Sequence, residues 1–432
     1  MKADPAASGF EARGADWLGV EEALSRILRQ ASPVGEERVP LAVCGGRALA
    51  EQVTATANLP PWDNSAMDGY AVRGADIDGA GPSSSVVLRV VGFVRAGSTL
   101  GPAVGPGEAV RIMTGAPVPP GADTVVRVED TDAEATEGRV EVLRDRDRGR
   151  NVRPGGQDMR VGDPLFVAGD TITPGAVGLL AAAGRDAVAV HSTPTVAILA
   201  TGDELRPPER YEDVRAGAGV PESNGPMLAA MARAAGARAR LLGIAADDPT
   251  DLRERIGAAA DADVLVTVGG ASMGEADLVK RVLDELDFEL DFWRVRMRPG
   301  SPMSFGLLRR GGRRQPVFGL PGNPASAFVT FEVFVRPFLR ALAGHRRVSR
   351  PVVRCVAVEP LTGAAGLTHY LRVTLDELDD HTAVRQAGPQ GSGLISSLAR
   401  AEGLAVLPEE VERVEAGEEV AVMLLDSASP PP

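Results

Sequence analysis

The apolar positions of this chain fall into two patterns. Residues 195–200, 264–268 and 317–320 are short, mainly apolar runs, as is 239–245 apart from Arg240, and they alternate with helical stripes at 227–235, 252–260, 278–286 and 328–342. Runs so brief and so rich in β-branched residues predict strands buried on both faces of a parallel sheet. Their alternation with helices over about 150 residues predicts an α/β domain with helices on both faces. Elsewhere the spacing changes. Turn-separated strands are expected at 86–94, 109–113, 124–129 and 140–143, as in a small inserted β domain, and again at 352–358, 370–375 and 404–407. A helical stripe through Leu18, Val20, Ala23, Leu24, Ile27 and Leu28 follows Asp16, which is placed as an N-cap. Residues 162–190 carry valines, alanines and glycine turns that return to this first domain. The expected domains are 16–60 with 149–190, an insertion at 61–148, then 191–346 and 350–425. The fold class is α/β multidomain: a central domain with a mostly parallel sheet, an inserted β-rich domain and a C-terminal β domain.

Composition narrows the possible functions. A chain of 432 residues is too long for one core. Its 44% hydrophobic and 24% charged residues are ordinary for a globular protein. A net charge of −13 argues against a nucleic-acid binder, which needs clustered Lys and Arg, yet leaves room for a locally basic pocket. Cys44 and Cys355 are far apart and lack a C-x-x-C partner, which fits a reducing compartment and excludes a cysteine-based metal site. Residues 1–10 have no signal-peptide core and no apolar run nears membrane-spanning length, so a cytoplasmic location without membrane contact is expected.

Candidate chemistry gathers at strand ends. Open α/β sheets bind ligands beyond the carboxyl ends of their strands. Four polar segments stand there, three of them glycine-bearing: T-G-D-E at 201–204, Asp247–Asp248, G-G-A-S-M-G-E-A-D at 269–277, and P-G-N-P-A-S at 321–326. A strand, a glycine turn and a helix N-terminus form an anion site. Glu275 and Asp277 either cap that helix or hold Mg²⁺ against a phosphate, Asp277 then belonging to a carboxylate set with Asp68, Glu204, Asp247 and Asp248. Other loops carry Asp68 (60–72), Thr114 (111–120), Arg153 (149–158), and Arg298 with Ser301 (297–303). Arg298 and Ser301, together with Arg372, suit a second anion. The mixed-charge run 144–150 reads as a solvated surface. His191, His345, His369 and His381 are scattered, so a hydrolase triad is not indicated, and neither G-x-G-x-x-G nor the Walker sequence is present. This is equipment for Mg²⁺ and a phosphorylated ligand, with catalysis by positioning and electrostatics.

Five motifs in order, P-W-D-N-S-A-M-D-G-Y-A-V, R-I-M-T-G-A-P-V-P, T-G-D-E-L, G-G-A-S-M-G-E-A-D and L-P-G-N-P-A-S-A, resemble the molybdopterin molybdenumtransferase family, that is, the MoeA proteins and the E domain of gephyrin. The resemblance spans residues 18–425. It implies an elongated homodimer of four domains, with a MogA-like molybdopterin-binding α/β domain and a C-terminal β-barrel-like domain. It implies insertion of molybdate into adenylylated molybdopterin with release of AMP and with Mg²⁺ present. The partners implied are the pterin substrate and other cofactor-biosynthesis proteins. By position, Asp68, Thr114, Glu204 and Asp277 match catalytic residues, and Glu204, Asp247, Asp248 and Asp277 match the metal end. Arg153 and Asp158 match the family's G-x-N-I-R-x-x-G-x-D loop. Asn224, Gly269, Gly270, Ser272, Gly274, Arg298, Ser301, Pro302, Pro321, Gly322, Asn323, Ser326, Arg372 and Ser392 match its substrate pockets. Two departures stand out. The family's K-P-G-K-P is R-P-G-S-P at 298–302, and Gln157 replaces a common Glu. The alternatives are a divergent paralogue serving as a binding or scaffold protein, or insertion of another oxyanion such as tungstate.

Overall fold

The structure, a computed structural model, describes residues 17–269, 278–378 and 381–425. Helix α1 (Val20–Leu28) buries Ala23 and Ile27, four residues apart on one face. The pattern grouped this helix with the N-terminal domain, but it packs into the core of the α/β domain, in one cluster with Phe334 and Phe338. An amphipathic stripe demands an apolar partner without specifying which one. The N-terminal domain pairs Glu36–Pro40 with Ala187–His191 and Val53–Thr54 with Pro164–Phe166, all antiparallel.

Between those pairs lies the inserted sheet, ordered Thr124–Arg127, Gly69–Val72, Glu108–Ile112, Val86–Val94, Arg139–Val142. The pattern missed Gly69–Val72, a four-residue strand at the end of a polar loop, although every residue in it is buried. The charged run 144–150 is exposed at Arg144, Arg146, Arg148 and Arg150, as a solvated surface, with one exception within it. Asp147 is buried and accepts the Arg127 backbone N–H at 3.0 Å, Nε at 2.9 Å and Nη2 at 2.8 Å. A buried carboxylate persists only when so paired.

The α/β domain holds one six-stranded sheet. Its strands are β1 (Thr195–Thr201), β2 (Arg238–Ala245), β3 (Val264–Val268), β4 (Phe288–Trp293), β5 (Ser304–Arg310) and β6 (Arg313–Leu320), in the order β2-β1-β3-β6-β5-β4. The first four in that order are parallel, and β5 pairs antiparallel with both β6 and β4. Alternate residues feed two cores: Val196, Ile198 and Val266 on one face, Ala197, Leu199 and Leu265 on the other. That double burial is why these runs lack polar alternation. Helices α2 (Asn224–Ala234), α3 (Pro249–Ala258), α4 (Leu278–Glu285), α5 (Pro324–Thr330) and α6 (Arg336–Leu342) complete the domain, with a π turn, Phe331–Val335, joining the last two.

The C-terminal strands β7 (Val352–Ala357), β8 (Thr368–Leu378), β9 (His381–Gln386), β10 (Gly403–Leu407) and β11 (Glu419–Leu424) close on themselves as β7-β9-β8-β10-β11. The short strand Met297–Arg298 leaves the α/β domain and pairs with β8, Arg298 opposite His369. The R-P-G-S-P loop therefore sits at the seam between the sheet domain and the barrel.

Candidate active site

The strand order reverses between β1 and β3, and there the carboxyl ends of β1, β3 and β6 border a cavity of about 740 Å³. This is where open α/β sheets bind ligands. Of the nominated residues, Glu204, Asn224, Gly269, Pro302, Pro321, Gly322 and Asn323 line it. Gly269 has φ +94°, and a Cβ there would lie 2.6 Å from the Thr201 carbonyl oxygen, so only glycine lets the ends of β1 and β3 come together. Asn224 is buried. Its Nδ2 donates to the Gly322 carbonyl at 2.7 Å and its Oδ1 is enclosed without a partner, so it ties α2 to the 321–324 segment. Glu222, which the sequence reading did not nominate, also lines the cavity, and its carboxylate accepts the Gly225 N–H at 2.7 Å.

A second cavity, of about 590 Å³, shares Arg294, Pro302, Pro321 and Asn323 with the first. Arg298 and Ser301 reach it from the seam loop, Ser326 from α5 and Ser392 from the barrel. Its described walls include two guanidinium groups, Arg294 and Arg298, and no carboxylate. Arg294 went unnominated. Its backbone is left-handed (φ +75°), and its Cζ lies 4.2 Å from the Trp293 ring centre and 5.2 Å from that of Trp17. Such faces stabilise a guanidinium without neutralising it. The run R-V-R-M-R carried the only hint. Arg296 in its middle instead binds Glu409 at 2.9 Å, and nothing local tells the three apart. Ser301 donates its hydroxyl to the Met297 carbonyl, so it faces its own loop.

Arg372, nominated for an anion, borders a third recess together with Arg298; it is buried, and its Nη1 is enclosed without a partner among the described residues. Nε donates to Ser397 Oγ at 3.0 Å, and Nη2 to the carbonyls of Pro389 and Gly391 at 3.0 and 3.2 Å. Burial lowers its pKa.

The remaining nominated residues lie elsewhere. Asp68 and Thr114 meet across 46 positions: Asp68 Oδ1 accepts both the Thr114 backbone N–H and its hydroxyl at 2.7 Å. Those two bonds, the backbone one foremost, hold the Asp68 carboxyl below the usual carboxylate range. Both residues, like Arg153 and Asp158, are exposed and line neither cavity. Asp248 caps α3, accepting the N–H groups of Thr250 and Asp251 at 2.9 and 3.0 Å, and Asp247 donates its N–H to Asp203. Neither borders the two cavities. Among the described residues no three His, Cys, Asp or Glu side chains gather as a metal site. Gly270, Ser272, Gly274, Glu275 and Asp277 lie outside the described residues.

Three family models match in succession: the MoeA N-terminal region (domain I and II) over residues 18–184, "Probable molybdopterin binding domain" over 197–341, and the MoeA C-terminal region (domain IV) over 354–425. Molybdopterin molybdenumtransferase 1 of Mycobacterium tuberculosis is 38% identical over 431 residues, covering 94% of this chain and 98% of the relative. Molybdopterin molybdenumtransferase of Staphylococcus aureus is 32% identical over 414 residues, covering 95% and 96%. A crystal structure of the molybdopterin biosynthesis MoeA protein from Pyrococcus horikoshii OT3 superposes with a TM-score of 0.81 at 27% identity, covering 94% of this chain and 100% of that one. With the sheet domain, the barrel and the strand-end cavity all in place, the chain belongs to the MoeA family of molybdopterin molybdenumtransferases.

Proposed function

We propose that this chain is a molybdenum insertase that takes adenylylated molybdopterin and molybdate and yields molybdenum cofactor and AMP. The observation that carries this reading is the paired cleft. The cavity at the strand ends has the size of a small-molecule site. Its neighbour, with Arg294, Arg298 and serine-lined walls but no carboxylate among the described ones, suits a doubly charged oxyanion. Arg294, on the shared wall, stands where pterin and oxyanion would meet. Arg298 and Arg294 supply positive charge despite the loss of lysine at Ser301.

Glu204, one of two described carboxylates lining the cavity with Glu222, would hold Mg²⁺ with substrate phosphates; Asp277 is assigned beside it from its motif alone, and the ion when bound would neutralise charge at the phosphoanhydride. We assign Asp68 and Thr114 to the AMP-releasing end. Because they line neither cavity of their own chain, the reading includes a homodimer in which one inserted domain completes the partner's cleft. Other cofactor-biosynthesis proteins would supply the pterin, and a cytoplasmic location fits this role. Among the described residues no helix is long and apolar enough to cross a membrane.

The test uses purified protein, adenylylated molybdopterin, molybdate and Mg²⁺, following AMP and molybdenum incorporation together. Coupled appearance of both, abolished by a chelator, is expected. Absence of AMP with molybdate and with tungstate would overturn the reading and favour the scaffold alternative.

A further inference from the structure

We propose that Trp17 is a positioning residue: its indole holds the Arg294 guanidinium on the wall shared by the two cavities and so fits the second cavity for a doubly charged oxyanion. This role deepens the insertase reading and rests on it. Arginines alternate at 294, 296 and 298 along the segment that leaves β4. Arg294 and Arg298 line the second cavity, and Arg296 between them turns away. Its guanidinium ties down the residues just before α1: Nη1 donates to the Trp17 carbonyl, and Nε binds Glu409 at 2.9 Å. The Arg296 backbone N–H donates to the Leu18 carbonyl at 2.8 Å, and Leu18 bridges Val295 in parallel. Trp17 is thereby laid along the arginine segment, with its indole in the wall of the second cavity.

Arg294 starts from a backbone that is itself fixed, at φ +75° with its N–H on the Met303 carbonyl at 2.9 Å. Trp293, from the wall of the first cavity, covers its guanidinium at 4.2 Å, and Trp17, from the wall of the second, at 5.2 Å. The described wall of the second cavity brings no carboxylate to neutralise it. A long side chain left to itself loses rotamer freedom when it meets an anion; an indole on each side takes that loss before the ligand arrives. One such contact is worth about 2- to 30-fold in binding.

The test is a double-mutant cycle in the full chain: Trp17→Leu, Arg294→Gln and both together, with Trp17→Phe as the conservative variant and molybdate binding measured by calorimetry. Trp17→Leu should weaken molybdate binding about fivefold and Trp17→Phe less than about twofold, because a phenyl face still meets the cation. In the Arg294→Gln background the leucine change should cause no further loss. In turnover the KM for molybdate should rise by more than kcat falls, a split that loosened packing alone would not produce. Unchanged binding in Trp17→Leu, or a loss that persists in full beside Arg294→Gln, overturns the proposal. Molybdate binding without AMP release fails the insertase reading and leaves the cycle to decide the role of Trp17. AMP release without measurable molybdate binding overturns the proposal and spares that reading, and silence of both assays overturns both.

Discussion

Asp68 shows how a side chain acquires a role from a contact its own motif does not encode. The P-W-D-N-S-A-M-D-G motif was legible as an unusual polar loop, but its partner, Thr114, lies in another motif, and their hydrogen bonds form only once the inserted sheet aligns the two loops. Two donors to one oxygen favour the ionised form, so Asp68 is a fixed negative charge at working pH. Asp68→Asn removes the charge while keeping an acceptor for Thr114. AMP release should fall about 100-fold with an unchanged thermal midpoint. A variant with wild-type turnover would remove Asp68 from the reaction. Arg294 is the opposite case. Its charge was plain in the sequence, but the two indoles that aim it come from residues 17 and 293, and periodicity does not place them together.

Among the elements, the parallel strands were readable because double burial leaves an uninterrupted apolar run, and the helices because a 3.6-residue stripe is local. The β5–β6 hairpin was missed except for its last residues, although its signal was present: two strands joined by Gly311–Gly312, both at positive φ. Only the apolar end of β6 stood out, because Arg309, Arg310, Arg313 and Arg314 interrupt the apolar pattern around the turn. At the end of β3, Gly269 is where strand and site depend on one backbone angle. Gly269→Ala should cost about 1–3 kcal/mol from the left-handed backbone and the clash with Thr201. Urea unfolding measures it, and AMP release should fall with it. A stability equal to wild type would show that the strand end relaxes freely.

At the scale of the whole molecule, the N-terminal and α/β domains meet at a seam around the buried His345. His345 Nδ1 lies 2.8 Å from Thr171 Oγ1 there, and the Arg346 N–H donates to the Gly169 carbonyl at 3.0 Å. Burial, then Arg340, Arg336, His191 and Arg47, push the His345 pKa from 6.5 to about 4. Between those values the unfolded chain binds the proton and the folded one does not. Stability is therefore complete above pH 6.5 and is lost as pH falls towards about 4, by about 3 kcal/mol at 1.36 kcal/mol per unit. Denaturant titrations of wild type and His345→Asn across that window check this, and an equal pH slope in both would refute it. The sequence alone determined the domain order, the α/β class and the motifs at strand ends, because periodicity, glycine turns and contiguous motifs are written over a few neighbouring residues. Only the tertiary structure decided that α1 belongs to the sheet core, that Asp248 caps a helix, that Arg372 lies inside its loop and that Asp68 stands apart from the cleft. Each of these depends on burial and hydrogen bonding between segments far apart in the chain, for which no local pattern of residues is a substitute.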